Sequence, residues 1–399
     1  MTLFTEELAR SFDASTVATA EACTLPPSLY TSEEFFAFEK DAIFGHEWLC
    51  VGRTAQVPEP GDYVALTLVD EPLVMVRGKD GQVRVLSSVC QHRGMTVAEG
   101  AGHCGTFKCP YHHWIYGLDG RLLGAQSMER TVGFDKADWG LPALRTEEWH
   151  GFVFVTFDDD APALAPRLAR LEPFVANFDL DNCVGRPQTD RFDGMPWNWK
   201  IMFENFNDGY HANKLHQGVH DFCRSEDAAF EAWDDADGAI FRTNGFTHID
   251  GGFNATQKAL LPIFPDVTEE ERWRVTFALL PPTLTIGLSP DQVFYFLIRP
   301  VSAGTIDIEI GYLFHPSAFD DPLFEERFAM SSLGVQGIVA QDVDATTRVQ
   351  RGLRSRFAPR GRYAWQEETH RQFNRWLVQR YLSHWPAPAG TSTPVEVTR

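Results

Sequence analysis

The chain has 399 residues, of which 44% are hydrophobic and 13% aromatic, so it can form two or three domains with a large core. Its 35 Lys and Arg stand against 55 Asp and Glu, and the net charge of -20 would repel nucleic acid and anionic membrane surfaces. The N-terminus lacks a basic start followed by an apolar core, and no apolar run approaches the roughly 18 residues that span a bilayer. We therefore expect no nucleic-acid partner, no membrane partner and a cytoplasmic location.

The first part of the chain predicts a short N-terminal segment followed by a small β domain. Residues 1–44 are assigned to a segment that packs on the larger domain described below. Residues 45–157 show short alternating segments punctuated by Gly, Asp and Pro, which is typical of antiparallel strands. The predicted strands are Asp62–Val69, Pro72–Val76, Gln82–Ser88 and Gly151–Phe157.

Two pairs of metal-binding residue types lie within the predicted β domain. Cys90 and His92 form a Cys-x-His pair, and after sixteen intervening residues Cys109 and His112 form a Cys-x2-His pair. Zinc sites usually group two cysteines and then two histidines, whereas each short loop here carries one of each. A diiron cluster with two thiolates on one iron and two imidazoles on the other needs this order of ligands. The spacing therefore predicts a Rieske [2Fe-2S] centre, which transfers single electrons.

Other interpretations of the cysteines and histidines are a zinc knuckle or a chance grouping among the 13 histidines. His103 and Cys104 lie between the two pairs, fit neither pair and are interpreted as ordinary loop residues. The five cysteines outside the pairs show no spacing typical of a disulfide framework. We expect these five to be reduced, buried thiols.

A second, larger domain is assigned to residues 158–399, because longer helical periods follow the polar stretch at 158–162. The predicted strands are Arg274–Leu280, Thr283–Leu288, Gln292–Arg299 and Thr305–Phe314, and the predicted helices are Glu326–Leu353 and Glu368–Ser383. These elements predict a curved antiparallel sheet that grips long helices. Together with the small antiparallel β domain, this helix-grip domain makes the predicted fold class α+β.

A pair of histidines in the second domain, His211 and His216, is predicted to bind iron. A ferrous ion that must bind dioxygen needs few protein ligands and several open positions, which two histidines and one carboxylate provide. Ligands five residues apart do not share a face of a regular helix, so we expect a broken helix or a π-type bulge near Gly209–Lys214. Taken by itself, this pair is better explained as two surface or core histidines. Because it follows a Rieske motif by about 100 residues, an iron site is the favoured interpretation.

The segments Cys90-Gln91-His92-Arg93-Gly94 and Cys109-Pro110-Tyr111-His112-His113-Trp114-Ile115-Tyr116-Gly117-Leu118-Asp119-Gly120 resemble the cluster loops of the large subunits of Rieske nonhaem iron oxygenases. The resemblance extends from about Tyr30 to about Tyr381 and includes Asn198-Trp199-Lys200 before Asp-x2-His-x4-His. One position departs from the family pattern, because His113 stands where Gly is usual; this change would crowd the second loop without removing a ligand. The resemblance implies the alpha subunit of an aromatic ring-hydroxylating-type terminal oxygenase.

The third iron ligand is assigned from the resemblance to the family's late helix. Asp342 lies in Gln341-Asp342-Val343-Asp344, eight residues before Gln350-Arg351-Gly352-Leu353, which resembles the family's Gln-x-Gly-Leu ending. Asp344 is the alternative, and two residues further on it faces another side of a helix.

The resemblance also implies roles for two residues beside the iron. Asp208 matches an acid that connects an iron-binding histidine to a cluster histidine of the neighbouring subunit, here His112, by hydrogen bonds. Its alternative role is an N-terminal or solvent-facing helix acid. Asn205 matches a polar position beside the iron that orients a water, and its alternative role is helix capping or a turn contact.

The implied reaction is reductive activation of O2 and transfer of oxygen to a small organic substrate. Ring hydroxylation of an aromatic compound is the first hypothesis, and oxidative removal of an N- or O-methyl group from a quaternary amine or methyl ether is the second. The aromatic and aliphatic residues between Phe203 and Phe314 could line a pocket for either substrate. A non-catalytic Rieske electron-transfer protein is the hypothesis from another class.

The electron source is predicted to lie outside the chain. No nucleotide-binding Gly-rich loop or flavin signature follows a predicted strand, so electrons from NAD(P)H would come through a separate reductase, with or without a ferredoxin. The resemblance implies a head-to-tail homotrimer in which each cluster serves the next subunit's iron, with or without a small beta subunit.

Overall fold

The N-terminal segment is helical in the structure, a computed structural model that describes residues 3–186, 189–216 and 218–386. Its helices are α1 (Glu6–Ser11), α2 (Asp13–Thr16), α3 (Ser28–Thr31) and α4 (Glu33–Glu39), and α4 continues as a π-helical turn over Lys40–Phe44. The side chains of Thr5 and Ser32 cap α1 and α4 by accepting backbone N–H groups of the first turn. Glutamates in both first turns add a favourable interaction with the helix dipole.

The small domain is built from short antiparallel strands. They are β1 (Leu49–Arg53), β2 (Asp62–Leu68), β3 (Glu71–Arg77), β4 (Val83–Ser87), β5 (Ala101–His103), β6 (Phe107–Lys108), β7 (Ile115–Tyr116), β8 (Leu122–Gly124), β9 (Arg145–Trp149) and β10 (Phe152–Thr156). They pair in the orders β1-β10-β9, β4-β3-β2-β5 and β6-β7-β8. One candidate cluster loop follows β4, and the other joins β6 to β7.

The larger domain combines helices with a large antiparallel sheet. Its elements are α5 (Leu164–Leu168), α6 (Glu172–Val175), β11 (Val184–Gly185), β12 (Asp190–Met195), α7 (Trp199–Phe206), α8 (Val219–Phe222), β13 (Cys223–Phe230), β14 (Ile240–Phe246), α9 (Glu269–Arg272), β15 (Arg274–Leu280), β16 (Leu284–Ser289), β17 (Gln292–Ser302), β18 (Thr305–Phe314), α10 (Phe324–Leu353) and α11 (Glu368–Ser383). The sheet order is β11-β18-β17-β16-β15-β14-β13, and β12 also pairs with β18.

One face of this sheet and the long helix α10 enclose a cavity. Because side chains alternate along a strand, Phe294 and Phe296 of β17 and Ile308 and Ile310 of β18 point into the same space. Helix α10 contributes residues at three- and four-residue spacings, which lie on one face of a helix. These residues are Val335, Ile338, Val339, Asp342, Val343 and Thr346.

The N-terminal segment is joined to the larger domain through a buried carboxylate, Glu39. It accepts hydrogen bonds from Trp199 Nε1 at 3.1 Å, from Lys200 Nζ at 2.7 Å and from Tyr381 Oη at 2.5 Å. The Lys200 and Glu39 side chains are both fully buried. Asn198 begins α7 by accepting the N–H of Lys200 at 3.0 Å, so each residue of the Asn-Trp-Lys sequence has a structural partner.

The observed architecture confirms the predicted α+β class, with a small antiparallel domain and a sheet that grips long helices. The predicted strands and the two predicted C-terminal helices agree with the observed elements to within a few residues. In the part of the chain that the structure describes, none of the helices combines the length and apolar character needed to cross a bilayer.

Candidate functional site

The two candidate cluster loops place sulfur inside and imidazole outside. Cys90 and Cys109 are each only 2% exposed, whereas His92 is half-buried and His112 is exposed. The His92 and His112 rings lie with centroids 4.6 Å apart. This arrangement puts the two thiols in the core of the small domain and the two imidazoles toward its surface.

Backbone and side-chain contacts hold both loops in place. Cys90 N donates to Met95 O, and Cys109 N donates to Trp114 O, both at 2.9 Å. The His92 ring stacks on Trp114 with centroids 4.9 Å apart. Tyr116 Oη lies 3.2 Å from Cys90 Sγ, so its hydroxyl can donate to this sulfur when it is a thiolate.

The four residues offer two thiols and two imidazoles, the donor set of a Rieske diiron cluster. His92 Nδ1 is buried and has no hydrogen-bond partner among the described residues, so an acceptor lone pair is available there. Burial raises the pKa of the Cys109 thiol, and the adjacent Cys90 adds to this effect.

His113 occupies a backbone conformation that favours glycine. Its φ is 59°, in the left-handed region, and its side chain is exposed. Its N–H donates to Cys109 O at 3.0 Å and closes the second loop. We expected His113 to crowd the second loop, but its exposed ring does not. The cost of having His here lies in the backbone, because a left-handed conformation is unfavourable for a residue with a Cβ atom.

His211, His216 and Asp342 converge on one point. His211 Nε2 lies 3.0 Å from His216 Nε2, and Asp342 Oδ1 lies 3.5 Å from the first and 3.2 Å from the second. Each residue offers one ligand atom, and these atoms lie within 4.8 Å of one another. Two imidazoles and one carboxylate facing a shared point suit a divalent iron that keeps open positions.

The electrostatics of this triad favour a bound cation. Burial tends to lower the pKa of His211, but contacts with Asp208 and Asp342 outweigh it and raise the pKa to about 9. Burial tends to raise the pKa of Asp342, but its two histidine neighbours lower it to about 2. Asp208 and Asp342 therefore place negative charge beside the two histidines, which a proton or a metal ion can neutralise.

The helix that leads into the triad is broken, as its histidine spacing predicts. Helix α7 ends at Phe206, and His211 begins a single 3-10 turn, His211–Asn213. Asp208 therefore does not share a helix face with His211. Instead, its Oδ1 accepts the N–H groups of Tyr210 and His211, and its Oδ2 lies 3.0 Å from His211 Nδ1.

The structure also locates Asn205, predicted to lie beside the iron, and Asp344, the alternative to Asp342 as the third iron ligand. Asn205 Nδ2 donates to Asp342 Oδ1 at 3.0 Å, so its side chain contacts the triad. Its carbonyl also accepts the N–H of Asp208 at 3.3 Å, the turn contact given as its alternative role. Asp344 is exposed and pairs with Arg348 at 2.9 Å, away from the triad.

Gln341 contacts the triad and was missed by sequence reasoning. Its Oε1 lies 2.9 Å from His216 Nδ1, so the Nδ1–H can donate to the amide and leave the Nε2 lone pair facing the triad. Its position next to Asp342 was the available signal, but adjacent helix residues face different sides, and only the packing shows this contact.

A cavity of about 1080 Å³, its mouth included, opens on the triad. His211, His216 and Asp342 line it together with Asn205 and Asp208. Its remaining lining is mostly aromatic and aliphatic, as in most small-molecule sites. The aromatic residues are Phe192, Trp197, Phe206, Phe253, Phe277, Phe294 and Phe296.

Two family models match the chain. Residues 47–141 match the Rieske [2Fe-2S] domain, and residues 168–383, more than half of the chain, match the ring hydroxylating alpha subunit catalytic domain. The chain belongs to the ring hydroxylating alpha subunit family. It is a Rieske oxygenase, with a [2Fe-2S] cluster in the small domain and a mononuclear iron in the catalytic domain.

Known proteins similar to this Rieske oxygenase act on two kinds of substrate. The carnitine monooxygenase oxygenase subunit of Acinetobacter baumannii is 28% identical over 84% of this chain and 86% of its own length. The biphenyl 2,3-dioxygenase alpha subunit of Rhodococcus jostii is 35% identical over 47% of this chain and 42% of its own. A solved quaternary ammonium Rieske monooxygenase is 25% identical, with a TM-score of 0.76 over 92% of this chain and 98% of its own.

Membership of the family makes the chain an oxidoreductase, so the hypothesis of a non-catalytic electron-transfer protein is set aside. As a Rieske oxygenase it takes electrons from NAD(P)H through a reductase, works as an oligomer and acts on a small molecule. The substrate remains to be assigned from the cavity.

Proposed function

We propose that this Rieske oxygenase is a monooxygenase of quaternary ammonium compounds, which oxidises a carbon bonded to the nitrogen. The observation that carries the proposal is the phenylalanine-rich cavity that opens on His211, His216 and Asp342. The faces of aromatic rings attract a trimethylammonium group by cation-π interaction. The likeness to carnitine monooxygenase covers 84% of the chain, whereas the likeness to biphenyl dioxygenase covers 47%.

The phenylalanines are arranged as a cluster that could surround such a group. Phe206 lies with its ring centroid 5.2 Å from Phe296, 5.7 Å from Phe277 and 6.2 Å from Phe294, all at steep angles. All four of these phenylalanines line the cavity. The carboxylates of Asp208 and Asp342 line the same cavity and add an attraction for a cation.

Each predicted ligand has a proposed role that its surroundings support. We assign the cluster to Cys90, His92, Cys109 and His112, and the mononuclear iron to His211, His216 and Asp342. Together the two groups would supply the electrons and the O2 activation that insert one oxygen atom into the substrate and release the other as water.

The protein's own residues would prepare the site for this chemistry. Asp208 and Gln341 would hold the His211 and His216 rings with Nε2 inward, because each contacts the opposite ring nitrogen. Asn205 would orient Asp342 by donating to Oδ1. The apolar walls would exclude water from the reacting carbon.

We also propose that electrons pass between subunits through His112 and Asp208 in a head-to-tail homotrimer. His112 is exposed in its loop, and Asp208, in contact with His211, lies two residues before Tyr210, which is 53% exposed. A similar quaternary ammonium monooxygenase is described in terms of inter-subunit electron transfer. The ferredoxin, the beta subunit and the cytoplasmic location stay predictions.

The proposed domains are an N-terminal segment at 1–44, a Rieske domain at 45–157 and a catalytic domain at 158–399. The two family matches, 47–141 and 168–383, each fall inside one of these ranges, which supports the division.

The proposal is tested by peroxide-driven product formation over a panel of quaternary amines, aryl methyl ethers and aromatic acids. We expect product from quaternary amines, measured by mass spectrometry, and a matching loss of product in Asp342→Asn. Product from the aromatic acids alone would replace the proposal with the second candidate, ring hydroxylation. The same phenylalanines favour that candidate, because they would pack against an aromatic ring.

A further inference from the structure

Arg242 is a buried cation without a counterion in the wall of the cavity. It belongs to β14, is only 4% exposed and lines the cavity. Its Nε donates to Asn207 O at 3.2 Å, its Nη1 donates to Asn244 Oδ1, and its guanidinium stacks over Phe277 at 4.6 Å. Among the described residues, no carboxylate lies within ion-pair distance of Arg242, although arginine is almost never fully buried unless paired.

The neighbouring groups do not supply the missing negative charge. Asp208 is near enough to act on Arg242, but its oxygens contact the backbone of Tyr210 and His211 and the His211 ring. Burial raises the pKa of the Cys223 thiol to about 12, so this neighbour is neutral. Burial lowers the pKa of Arg242 to about 10, which still leaves it cationic at neutral pH.

A buried hydroxyl without a hydrogen-bond partner lies beside Arg242. Ser225 is 1% exposed, lines the cavity, and its Oγ has no hydrogen-bond partner among the described residues. A Cβ placed on Gly209 would lie 3.6 Å from Ser225 Cβ and 3.7 Å from Arg242 Cζ, so both side chains flank the same glycine. A buried donor without an acceptor is costly, and so is a buried cation without a counterion. The two on one wall indicate an anionic ligand that accepts from both Ser225 and Arg242.

We propose that Arg242 and Ser225 form a carboxylate subsite, so that the substrate of this site carries a carboxylate as well as its quaternary ammonium group. The inference rests on the proposed function for the ammonium part only. The planar guanidinium matches a carboxylate in geometry and charge, and the serine hydroxyl can donate to the same group. Arg242 thus sets specificity, since a neutral analogue would leave its charge unpaired.

The test compares γ-butyrobetaine with its methyl ester, which keeps the trimethylammonium group and loses the negative charge. We expect the wild type to prefer the acid by about 10- to 100-fold in kcat/KM, mainly through KM, because hydrogen bonds to charged groups have this strength. Arg242→Met should bring the acid-to-ester ratio close to one, and Ser225→Ala should lower it less.

The matched control is Arg186→Met. Arg186 also stacks on a phenylalanine, Phe328, at 4.4 Å, but it does not line the cavity. This variant should keep the wild-type preference for the acid. A purely structural role of Arg242, as a donor to the end of α7, would instead reduce use of acid and ester alike in Arg242→Met, and this result would overturn the subsite.

A binding measurement separates failure of the subsite from failure of the proposed function. Calorimetric titration of wild type and Arg242→Met with γ-butyrobetaine, benzoate and their methyl esters needs no turnover. An Arg242-dependent preference for benzoate, with no oxidation of quaternary amines, would support the subsite and reject the proposed function. Equal binding of acid and ester in both pairs would reject the subsite whatever the substrate.

Discussion

The candidate cluster site takes its ligands from two short loops between Cys90 and His112, whereas the triad joins His211 and His216 to Asp342 on the distant helix α10. The cluster loops are held mostly by backbone hydrogen bonds within each loop. The triad is held by side chains from other elements, such as Gln341 and Asn205. A locally built site should tolerate damage elsewhere in the fold, and a site assembled over long range should not.

The difference matches the two tasks of the sites. The exposed His112, a proposed cluster ligand, would give the cluster an edge at which electrons can enter or leave. The triad instead faces a cavity with mostly apolar walls, where substrate can be held away from water.

The largest expected effect comes from His211→Ala, which removes a triad ligand. Turnover should fall by roughly a thousandfold or more, because metal activation contributes several kcal/mol. Iron should fall from about three to about two per chain, while the visible spectrum of the cluster stays intact. Asp344→Ala is the control and should change neither quantity. Loss of the cluster spectrum in His211→Ala would show that the two sites are not built independently.

Lys200→Met should destabilise the triad more than the cluster. It leaves Glu39 charged, buried and unpaired, which should lower the free energy of unfolding of the catalytic domain by about 3–5 kcal/mol. In a denaturant titration, the triad should lose iron before the visible absorbance of the cluster falls. Lys40→Met breaks the exposed pair with Asp70 and should cost less than about 1 kcal/mol. Simultaneous loss of both iron sites would contradict the comparison.

Gln341→Leu should weaken only the triad. It removes the acceptor for His216 Nδ1, so affinity for Fe(II) should fall by about 10- to 100-fold, as for other groups that orient metal ligands. The affinity is measured by removing iron from the triad, leaving the cluster in place, and titrating the protein with Fe(II). Gln341→Glu keeps an acceptor and should retain most of the affinity. Unchanged affinity in Gln341→Leu would mean that the hydrogen bond does not orient His216.

Tyr116→Phe should affect only the cluster. The substitution removes the hydroxyl beside Cys90 Sγ. In the wild type, a hydrogen bond from this hydroxyl stabilises the reduced state of the cluster, which is the more negative one. A hydrogen bond of about 0.5–1.5 kcal/mol corresponds to a potential lower by roughly 20–65 mV for one electron. A redox titration followed in the visible range measures the shift, and Fe(II) affinity of the triad is the control. A potential equal to that of the wild type would show that the tyrosine does not donate to the sulfur.

The smallest effect is expected from His113→Gly. The left-handed backbone disfavours His, so Gly should stabilise the second cluster loop by at most about 1 kcal/mol, despite its greater freedom in the unfolded chain. Thermal loss of the visible absorbance should occur at a slightly higher temperature. Gly94→Ala, which places a side chain at φ 79° in the first loop, should shift this temperature downward. If His113→Gly lost its absorbance at a lower temperature than the wild type and Gly94→Ala at a higher one, backbone strain would not explain the stability of the loops.

The sequence by itself determined the features that depend on neighbours along the chain. The order of Cys90, His92, Cys109 and His112 indicates the cluster type, since each loop must offer one sulfur and one nitrogen. The spacing of His211 and His216 predicted a broken helix or a π-type bulge, and the helix is broken, since α7 ends at Phe206. Alternating and helical periods located the strands β15–β18 and the helices α10 and α11, because burial of one face imposes those periods.

Only the tertiary structure decided which distant side chains meet. Asp342 was assigned by resemblance, but its contacts with both histidines depend on how α10 crosses the sheet. Gln341, Arg242 and Ser225 gave no signal along the chain, because their partners lie on other elements or in the cavity. The physical reason is that spacing records which residues share a face, whereas the packing of faces against each other sets the distances across a site.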